Sequence, residues 1–319
     1  MRFSLKYVVG LIASIAIVPC LISTISAQTI GPHFTEWSAL EPVAILNTTA
    51  NELPSSISHD GLRLYFQRTP GDIWVSHKGG RKADWETPIK LPATINTAYM
   101  EGQAFESIDG HWLYFGSNRP GSLGGSMDIW VSWRGDKHDD MAWEAPINLA
   151  SVNSVGFENA PMLFVDDRTG TTQMYLGAKP GPGGTQLYAD IYVSTLGPGG
   201  FGIPVPVAEL NVPTHNDGKP WLRRDGLEIF YSSYRQSVIG PFNPPGAIYT
   251  STRLYTDQPW SAPVIILNTF PSGQPGDGYI TTPVLSWNAT ELYVGLNQLT
   301  GTDAGDIYVT RREKIKGPK

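Results

Sequence analysis

Five acidic side chains recur at corresponding points of the chain, each at the entrance to a short apolar segment. They are Glu52, Glu101, Glu158, Asp217 and Asp277. Basic side chains follow four of them at similar distances, as Arg68, Arg119, Lys179 and Arg235. Carboxylates in this pattern could accept hydrogen bonds from the backbone, hold a hard cation, or act as an acid–base pair, so their surroundings must decide between three kinds of chemistry.

Electrostatic repulsion between the carboxylates helps to decide which of these three roles is favoured. Two carboxylates about 8 Å apart repel by roughly 2 kcal/mol at an effective dielectric of 20, so a ring of unpaired acids is unfavourable. We therefore expect each acid to bond a loop N–H group or the basic side chain of a neighbouring unit. A Ca²⁺ site is a second alternative, because oxygen-rich sites suit Ca²⁺; we expect no other cofactor. Cleavage of a glycan is the third, with Glu101, Glu158 and Asp217 as candidate catalytic carboxylates.

Aromatic and amide side chains surround the acids in the sequence. They are Tyr99, Gln103, Phe157, Asn159, His215, Asn216, Lys219, Trp221 and Tyr279. Aromatic faces beside carboxylates and amides are suited to polar ligands such as saccharides. The predicted ligand-binding residues are Glu52, Glu101, Glu158, Asp217, Lys219, Trp221, Tyr279, Arg68, Arg119 and Arg235.

The segments that must position these residues are repeated. A hairpin element with a turn residue before a Leu-Tyr-Phe type run begins at Asp60, Asp109, Asp167, Asp225 and Asn288. An Ile-Trp-Val type run begins at Asp72, Asp128, Asp190, Ala247 and Asp306. A Trp-x-x-Pro type element begins at Trp37, Trp85, Trp143, Phe201 and Trp260. Apolar runs of this length, rich in aromatic and β-branched residues and separated by Asp-Gly turns, are typical of antiparallel strands.

The period of the repeat predicts the fold. Repeats of about 40 to 60 residues with four strands each indicate an all-β, five-bladed β-propeller with four-stranded antiparallel blades. The first Trp-x-x-Pro element precedes the first hairpin and the last unit lacks one, so the N-terminal strand should close the last blade. Closure of this kind removes two free sheet edges. In a propeller the first strand of each blade lines the central channel, so the five acids should lie at the channel mouth.

The motifs resemble a known family. Ser-x-Asp-Gly-x-x-Leu-Tyr-Phe, Ser-x-Arg-x-Gly and Gly-x-x-Asp-Ile-Trp-Val-Ser are similar to the WD40-like (PD40) repeats of TolB-type β-propellers, over about residues 35–313. The third unit departs from the pattern at Asp166-Asp167, and the fourth has Ala247 in place of Asp. The resemblance implies the propeller fold. It does not imply one function, because the family includes Tol-system binding proteins, protease-associated propellers and other secreted proteins, and fold alone does not define function. Five-bladed propellers also serve as scaffolds for furanosidases, which keeps the glycan-active alternative open.

The ends and the charge of the chain set its context. Arg2 and Lys6 precede an uncharged apolar run that ends near Ala27, which predicts a signal peptide at 1–27 and an exported, periplasmic or extracellular protein. A short lead at 28–34, the propeller at 35–313 and a tail at 314–319 complete the predicted organisation. The single Cys20 lies within the signal segment, so the mature chain has no disulfide. A formal net charge of −6 argues against nucleic acid and anionic membranes as partners.

These observations lead to one functional hypothesis and one alternative. We expect a monomeric binding or scaffold module that binds a protein, a peptide or an envelope glycan at the channel mouth. The alternative is a glycan-active hydrolase or lyase that uses the mouth carboxylates.

Overall fold

The structure, a computed structural model, describes residues 33–181, 189–235, 246–268, 278–298 and 305–315. The predicted signal peptide at 1–27, Asp277 and the residues after 315 lie outside these ranges. The chain divides into two units, Met1–Ile30 and Gly31–Lys319, and every described residue belongs to the second. No described helix has the length and apolar character that a membrane-spanning segment needs.

The prediction of an all-β, five-bladed propeller is confirmed. Two short strands come first, β1 (His33–Phe34) and β2 (Glu41–Pro42). The first blade contains β3 (Glu52–Ile57), β4 (Arg63–Arg68), β5 (Asp72–His77) and β6 (Ile89–Lys90). The second contains β7 (Glu101–Glu106), β8 (Trp112–Ser117), β9 (Asp128–Trp133) and β10 (Ile147–Asn148), with a 3₁₀ turn at Leu123–Gly125.

The remaining blades repeat this order. The third contains β11 (Phe157–Val165), β12 (Thr172–Lys179), β13 (Asp190–Gly197), β14 (Gly200–Phe201) and β15 (Val205–Pro206). The fourth contains β16 (Asp217–Leu222), β17 (Glu228–Ser233), β18 (Ala247–Thr252) and β19 (Val264–Leu267). The fifth contains β20 (Gly278–Leu285), β21 (Glu291–Gln298) and β22 (Asp306–Arg311), and a final strand β23 (Lys314–Ile315) follows.

The N-terminal segment closes the ring, as the order of the repeated elements predicts. Strand β2 pairs antiparallel with β22, with Glu41 opposite Val309 and Pro42 opposite Tyr308, and so becomes the fourth strand of the fifth blade. Next to this closure β1 pairs with β23. The fifth blade therefore contains strands that are far apart in the sequence. Because β2 pairs with β22, the edge of β22 is not left unpaired.

Each innermost strand contains a break in register close to the propeller axis. In four blades the residue at the break has a left-handed backbone with φ between 50° and 55°, at Gln103, Ala160, Lys219 and Thr282. This conformation is unfavourable for residues other than Gly, so the surrounding sheet must enforce it. Side chains at this level surround a void of only about 10 Å³. The break therefore fills the axis and separates the channel mouth from the opposite face.

Apolar runs from the repeats form the packing between blades. In the first blade Leu64, Tyr65 and Phe66 are fully buried, as are Ile229, Phe230 and Tyr231 in the fourth. Burying a large apolar side chain contributes about 1.5–3 kcal/mol each, so these runs supply much of the stability that a chain without disulfides needs. Most of the repeated aromatic residues are thus structural.

The tryptophan of the Trp-x-x-Pro element packs against a cation that follows the third strand. The pairs and their distances from cation to ring centroid are Lys78–Trp85 at 4.5 Å, Arg134–Trp143 at 4.1 Å, Arg253–Trp260 at 4.2 Å and Arg312–Trp37 at 4.4 Å. Each arginine Nε also donates to a hairpin-turn carbonyl, at Gly110 (2.9 Å), Gly226 (2.7 Å) and Ala289 (2.9 Å). The element therefore connects the outer edge of a blade to its own hairpin turn.

A buried charge cluster joins the first two blades. Arg134 is fully buried and pairs with Glu106 and, at 2.6 Å, with Asp140. Arg63 of the first blade reaches Glu106 at 3.2 Å, and His77 of the same blade reaches Asp140 at 2.6 Å. The hydrogen bond to Asp140 raises the pKa of His77. The junction between the first two blades therefore contains buried ion pairs in addition to apolar packing.

Candidate functional site at the channel mouth

The four predicted acids within the described residues lie at the mouth end of the innermost strands, but they are buried. Glu52, Glu101 and Asp217 have no exposed surface, and Glu158 has 1%. Asp277 lies outside the described residues. The carboxylates therefore do not form an open acidic ring, and the contacts around each of them explain why.

Hydroxyl and N–H groups of the loop before the strand bind three of the acids in the same way. Thr48 Oγ1 donates to Glu52 at 2.6 Å, Thr97 Oγ1 to Glu101 at 2.7 Å and Ser154 Oγ to Glu158 at 2.6 Å. The N–H of the same loop residue donates to the second carboxylate oxygen in each case, at 3.2, 2.9 and 3.1 Å. Asp217 accepts from the N–H of Val212 at 2.7 Å. This agrees with the expectation that loop N–H groups satisfy the acids.

Arginines complete three of the four sites. Arg68 pairs with Glu52 at 2.7 Å, Arg119 with Glu101 at 3.2 Å and Arg235 with Asp217 at 2.7 Å. The paired residues lie on, or just beyond, adjacent strands of one blade, so the expectation of a neighbouring blade as the source of the cation was wrong. The register of antiparallel strands explains this, because the end of the second strand lies opposite the start of the first. The same arginines donate to the carbonyls of Leu46 (2.9 Å), Ile95 (2.5 Å) and Leu210 (2.6 Å).

The third blade has no arginine at the position that corresponds to Arg68, Arg119 and Arg235. Among the described residues, the carboxylate of Glu158 accepts hydrogen bonds from Ser154 alone, and burial raises the pKa of its carboxyl group. Lys179, the basic side chain that follows Glu158 in the repeat, lies opposite Phe157 in the strand pair. It lines the mouth pocket instead of pairing with Glu158.

Sequence reasoning missed a repeated asparagine that connects the blades. Asn47, Asn96, Asn153 and Asn211 each bind the backbone of an isoleucine in the preceding blade through both amide atoms. Around Asn96, for example, the N–H of Ile73 donates at 2.8 Å and the carbonyl accepts at 2.9 Å. The signal was available as an Asn-Thr or Asn-Ser pair before Glu52, Glu101 and Glu158, whereas Asn211 is followed by Val212.

We expect Asn96→Ala to lower the free energy of unfolding by about 2 kcal/mol, because it leaves the buried Ile73 N–H without a partner and removes the Asn96 donor from the Ile73 C=O, which keeps the Leu91 N–H at 3.1 Å. Equilibrium urea unfolding measures the change. Asn118→Ala is the matched control; it removes one hydrogen bond, to the Met100 N–H in an exposed loop, and should cost less than 1 kcal/mol. Equal losses for the two variants would contradict a connecting role for Asn96.

A pocket of about 700 Å³ opens at the mouth over the second to fifth blades. Phe157, Tyr234 and Tyr279 supply aromatic surface, and Asn159, Asn216, Ser232 and Thr281 supply polar groups. Lys179, Asp217 and Lys219 are its charged residues among those described. Of the predicted ligand-binding residues, the pocket therefore brings together Asp217, Lys219 and Tyr279.

Other predicted ligand-binding residues lie elsewhere. Trp221 is 4% exposed and packs against Phe105 with ring centroids 5.7 Å apart, beyond the break in register. The break in register interrupts the alternation of side chains along β16. Strict alternation along the sequence therefore does not predict the position of Trp221. The carboxylates of Glu52, Glu101 and Glu158 bind groups of the preceding loops. Arg68 pairs with Glu52, Arg119 with Glu101 and Arg235 with Asp217. Apart from Asp217, all of them remain near the mouth without lining the pocket.

Lys219 is the most unusual charge of the pocket. The residue is half-buried, and desolvation lowers the pKa of its side chain to about 8. Nζ donates to Thr281 Oγ1 at 3.2 Å, and no carboxylate among the described residues lies within ion-pair distance of it. Burial also raises the pKa of Tyr234 and Tyr279, so both phenols stay protonated at neutral pH.

The chemistry open to this pocket is limited by its carboxylates. Glycoside hydrolysis commonly uses two carboxyl groups facing the substrate. Within the described residues only Asp217 lines the pocket, and Arg235 occupies one of its oxygens. No group of three or more His, Cys, Asp or Glu side chains in the described ranges is arranged to hold a metal ion, so the Ca²⁺ alternative gains no candidate ligands there.

No family model and no curated protein matches the chain, so membership of the TolB-type repeat family is not confirmed. Solved structures are similar in fold. One is described as a glycoside hydrolase, with 11% identity, 90% of this chain and 93% of that chain covered, and a TM-score of 0.57. Another is an α-L-arabinofuranosidase from Podospora anserina in complex with cellotriose, with 9% identity, 89% and 98% covered, and a TM-score of 0.54. A TolB-like protein from Agrobacterium tumefaciens has 12% identity, 89% and 100% covered, and a TM-score of 0.46.

Proposed function

We propose that this protein binds a saccharide in the mouth pocket. The observation that carries the proposal is the pocket lining, in which three aromatic side chains lie beside amide and hydroxyl groups within about 700 Å³. Apolar ring faces bind the C–H surfaces of a sugar, and a few polar groups fix its orientation. The volume suits a ligand of a few sugar rings, since small-molecule pockets commonly enclose about 300–1,000 Å³.

The solved structures add support at the level of the fold. Those with TM-scores of 0.57 and 0.54 are described as a glycoside hydrolase and as an arabinofuranosidase in complex with cellotriose. They favour a glycan over a protein or a peptide as the ligand. The predicted signal peptide would export the chain to a compartment where such glycans are found.

We expect Tyr279→Ala to reduce the affinity for a bound oligosaccharide about tenfold or more, because it removes an aromatic face of the pocket. Titration calorimetry against a panel of neutral and acidic oligosaccharides measures the affinity. The matched control is Trp112→Ala, which removes a 39% exposed aromatic side chain that does not line the pocket and should leave affinity unchanged. If no member of the panel binds the parent protein, the proposal is wrong.

A glycan-cleaving enzyme is the second candidate, favoured by the fold shared with the hydrolases. Of its candidate carboxylates only Asp217 lines the pocket, whereas Glu101 and Glu158 bind loop groups. Release of new chain ends from the same panel tests this candidate. If the protein cleaves a glycan and Asp217→Asn abolishes this activity while binding persists, the protein is an enzyme and not only a binding module.

A further inference from the structure

We infer that the saccharide bound in the mouth pocket carries a carboxylate, as a hexuronate does, and that Lys219 binds this group. The inference rests on the proposed function and specifies its ligand class. It comes from the charge of the pocket, from the hydrogen-bond pattern around Lys219 and from the position of this residue in the fold.

Among the described residues, those that line the pocket carry a net positive charge, although the protein is acidic. Lys179 and Lys219 line it, while the charge of Asp217 is offset by Arg235 at 2.7 Å. The whole chain has a formal net charge of −6, so this local excess runs against the background. Desolvated cations without an opposite charge are unfavourable, and a bound anion would offset that cost.

The hydrogen bonds around Lys219 leave donors unused. Thr281 Oγ1 accepts from Lys219 at 3.2 Å and shares a hydrogen bond with Ser232 Oγ at 3.2 Å. Ser232 Oγ accepts from the N–H of Thr282 at 3.0 Å. Whichever way the two hydroxyls point, their bonds to the described residues leave two ammonium hydrogens of Lys219 and one hydroxyl hydrogen for a ligand. Unused hydrogen-bond donors beside a positive charge are suited to binding a negatively charged oxygen group.

The backbone places Lys219 at the centre of the mouth. Its φ of 55° belongs to the register break of β16, at the level where the axis is filled. The corresponding residues in three other blades are Gln103, Ala160 and Thr282, none of which carries a charge. One ammonium group on the axis, without a neighbouring guanidinium in the pocket lining, suits a singly charged carboxylate better than a phosphate dianion.

The charge state of Lys219 gives the proposal a pH signature. With a pKa of about 8 the side chain is about nine-tenths protonated at pH 7. Among the described residues, the charged and titratable groups around it include Glu158, Lys179 and Asp190 in the third blade, Asp217, Tyr234 and Arg235 in the fourth, and Tyr279 in the fifth. Burial raises the pKa values of both tyrosines, so they do not lose protons near pH 8. Affinity for a carboxylate should therefore fall about tenfold per pH unit above the pKa of Lys219.

The test uses short oligomers of galacturonate, glucuronate and mannuronate, each with its methyl ester, which keeps the sugar and removes the charge. We expect an acidic oligomer to bind the parent protein at pH 7 and Lys219→Met to weaken this binding about tenfold to a hundredfold. The variant should leave the affinity of the ester unchanged and remove the decline of affinity above pH 8. It should also keep its melting temperature, because methionine is uncharged and of similar length.

Two controls locate the effect. Lys90→Met removes a 47% exposed cation outside the pocket and should change nothing. Lys179→Met removes the second lysine of the pocket and leaves Lys219 in place, so this variant should weaken binding and keep the decline of affinity above pH 8. Equal binding of acid and ester by the parent protein overturns the inference and leaves the proposed function standing. Absence of binding by every acidic and neutral oligomer overturns both.

Discussion

Replacing Arg134 with methionine should lower the free energy of unfolding by about 3–5 kcal/mol, because it leaves buried carboxylates without their main cation. Arg134 is fully buried and pairs with both Glu106 and Asp140. Methionine keeps contact with Trp143 through its apolar chain but supplies no charge. Equilibrium denaturation in urea measures the loss, and a fall in melting temperature should accompany it.

The control for this change is Arg168→Met. Arg168 pairs with Asp257 at 3.2 Å, but the two side chains are 52% and 66% exposed, so the loss should stay below about 1 kcal/mol. Arg134→Lys, which keeps a charge but not the two-sided geometry, should fall between the two variants. A loss of less than 1 kcal/mol in Arg134→Met would show that the cluster does not stabilise the junction between the first two blades.

Glu101→Gln and Glu158→Gln should differ by about 3 kcal/mol in the free energy of unfolding, although both acids occupy the same place in the repeat. Glu101→Gln leaves Arg119 partly buried without its carboxylate and should be destabilising by about 3 kcal/mol. Glu158 has no arginine partner, and burial raises its pKa, so its neutral replacement should be tolerated within about 1 kcal/mol. Urea unfolding of the two variants measures the difference.

The pH dependence of Glu158→Gln provides a second readout. The folded pKa of Glu158 lies above its ordinary value of 4.5, so the folded state holds this proton more tightly than the unfolded state does. The parent protein should therefore lose stability relative to the variant as the pH rises from about 4.5 through the folded pKa. Identical pH profiles for parent and variant, or equal losses in the two Gln variants, would contradict the different roles assigned to these acids.

The repeat predicted the blades well because each depends on local patterns. Turns such as Asp109-Gly110 and runs such as Leu64 to Phe66 fix strand positions without reference to distant residues. Even the closing contact between Glu41 and Val309 follows from counting elements along the chain.

The site was less predictable because it depends on contacts that a linear pattern does not contain. The acids were found at the correct end of the strands, but their burial under Thr48, Thr97 and Ser154 became visible only in three dimensions. Trp221 was misplaced because a register break alters the alternation of its strand. The isolation of Lys219 likewise depends on the neighbouring blades, since no carboxylate among the described residues lies within ion-pair distance of it.

The strand that closes the ring also determines when folding can finish. Strand β2 is synthesised before strands β3 to β21, and its partner β22 is synthesised after them. A contact between strands so far apart in sequence carries a large loop-closure entropy and forms slowly. During synthesis the early blades can form while the edges of the ring stay open, so a chain that stops short of Asp306 keeps β2 unpaired. Synthesis through β22 is thus a physical precondition for a sealed ring.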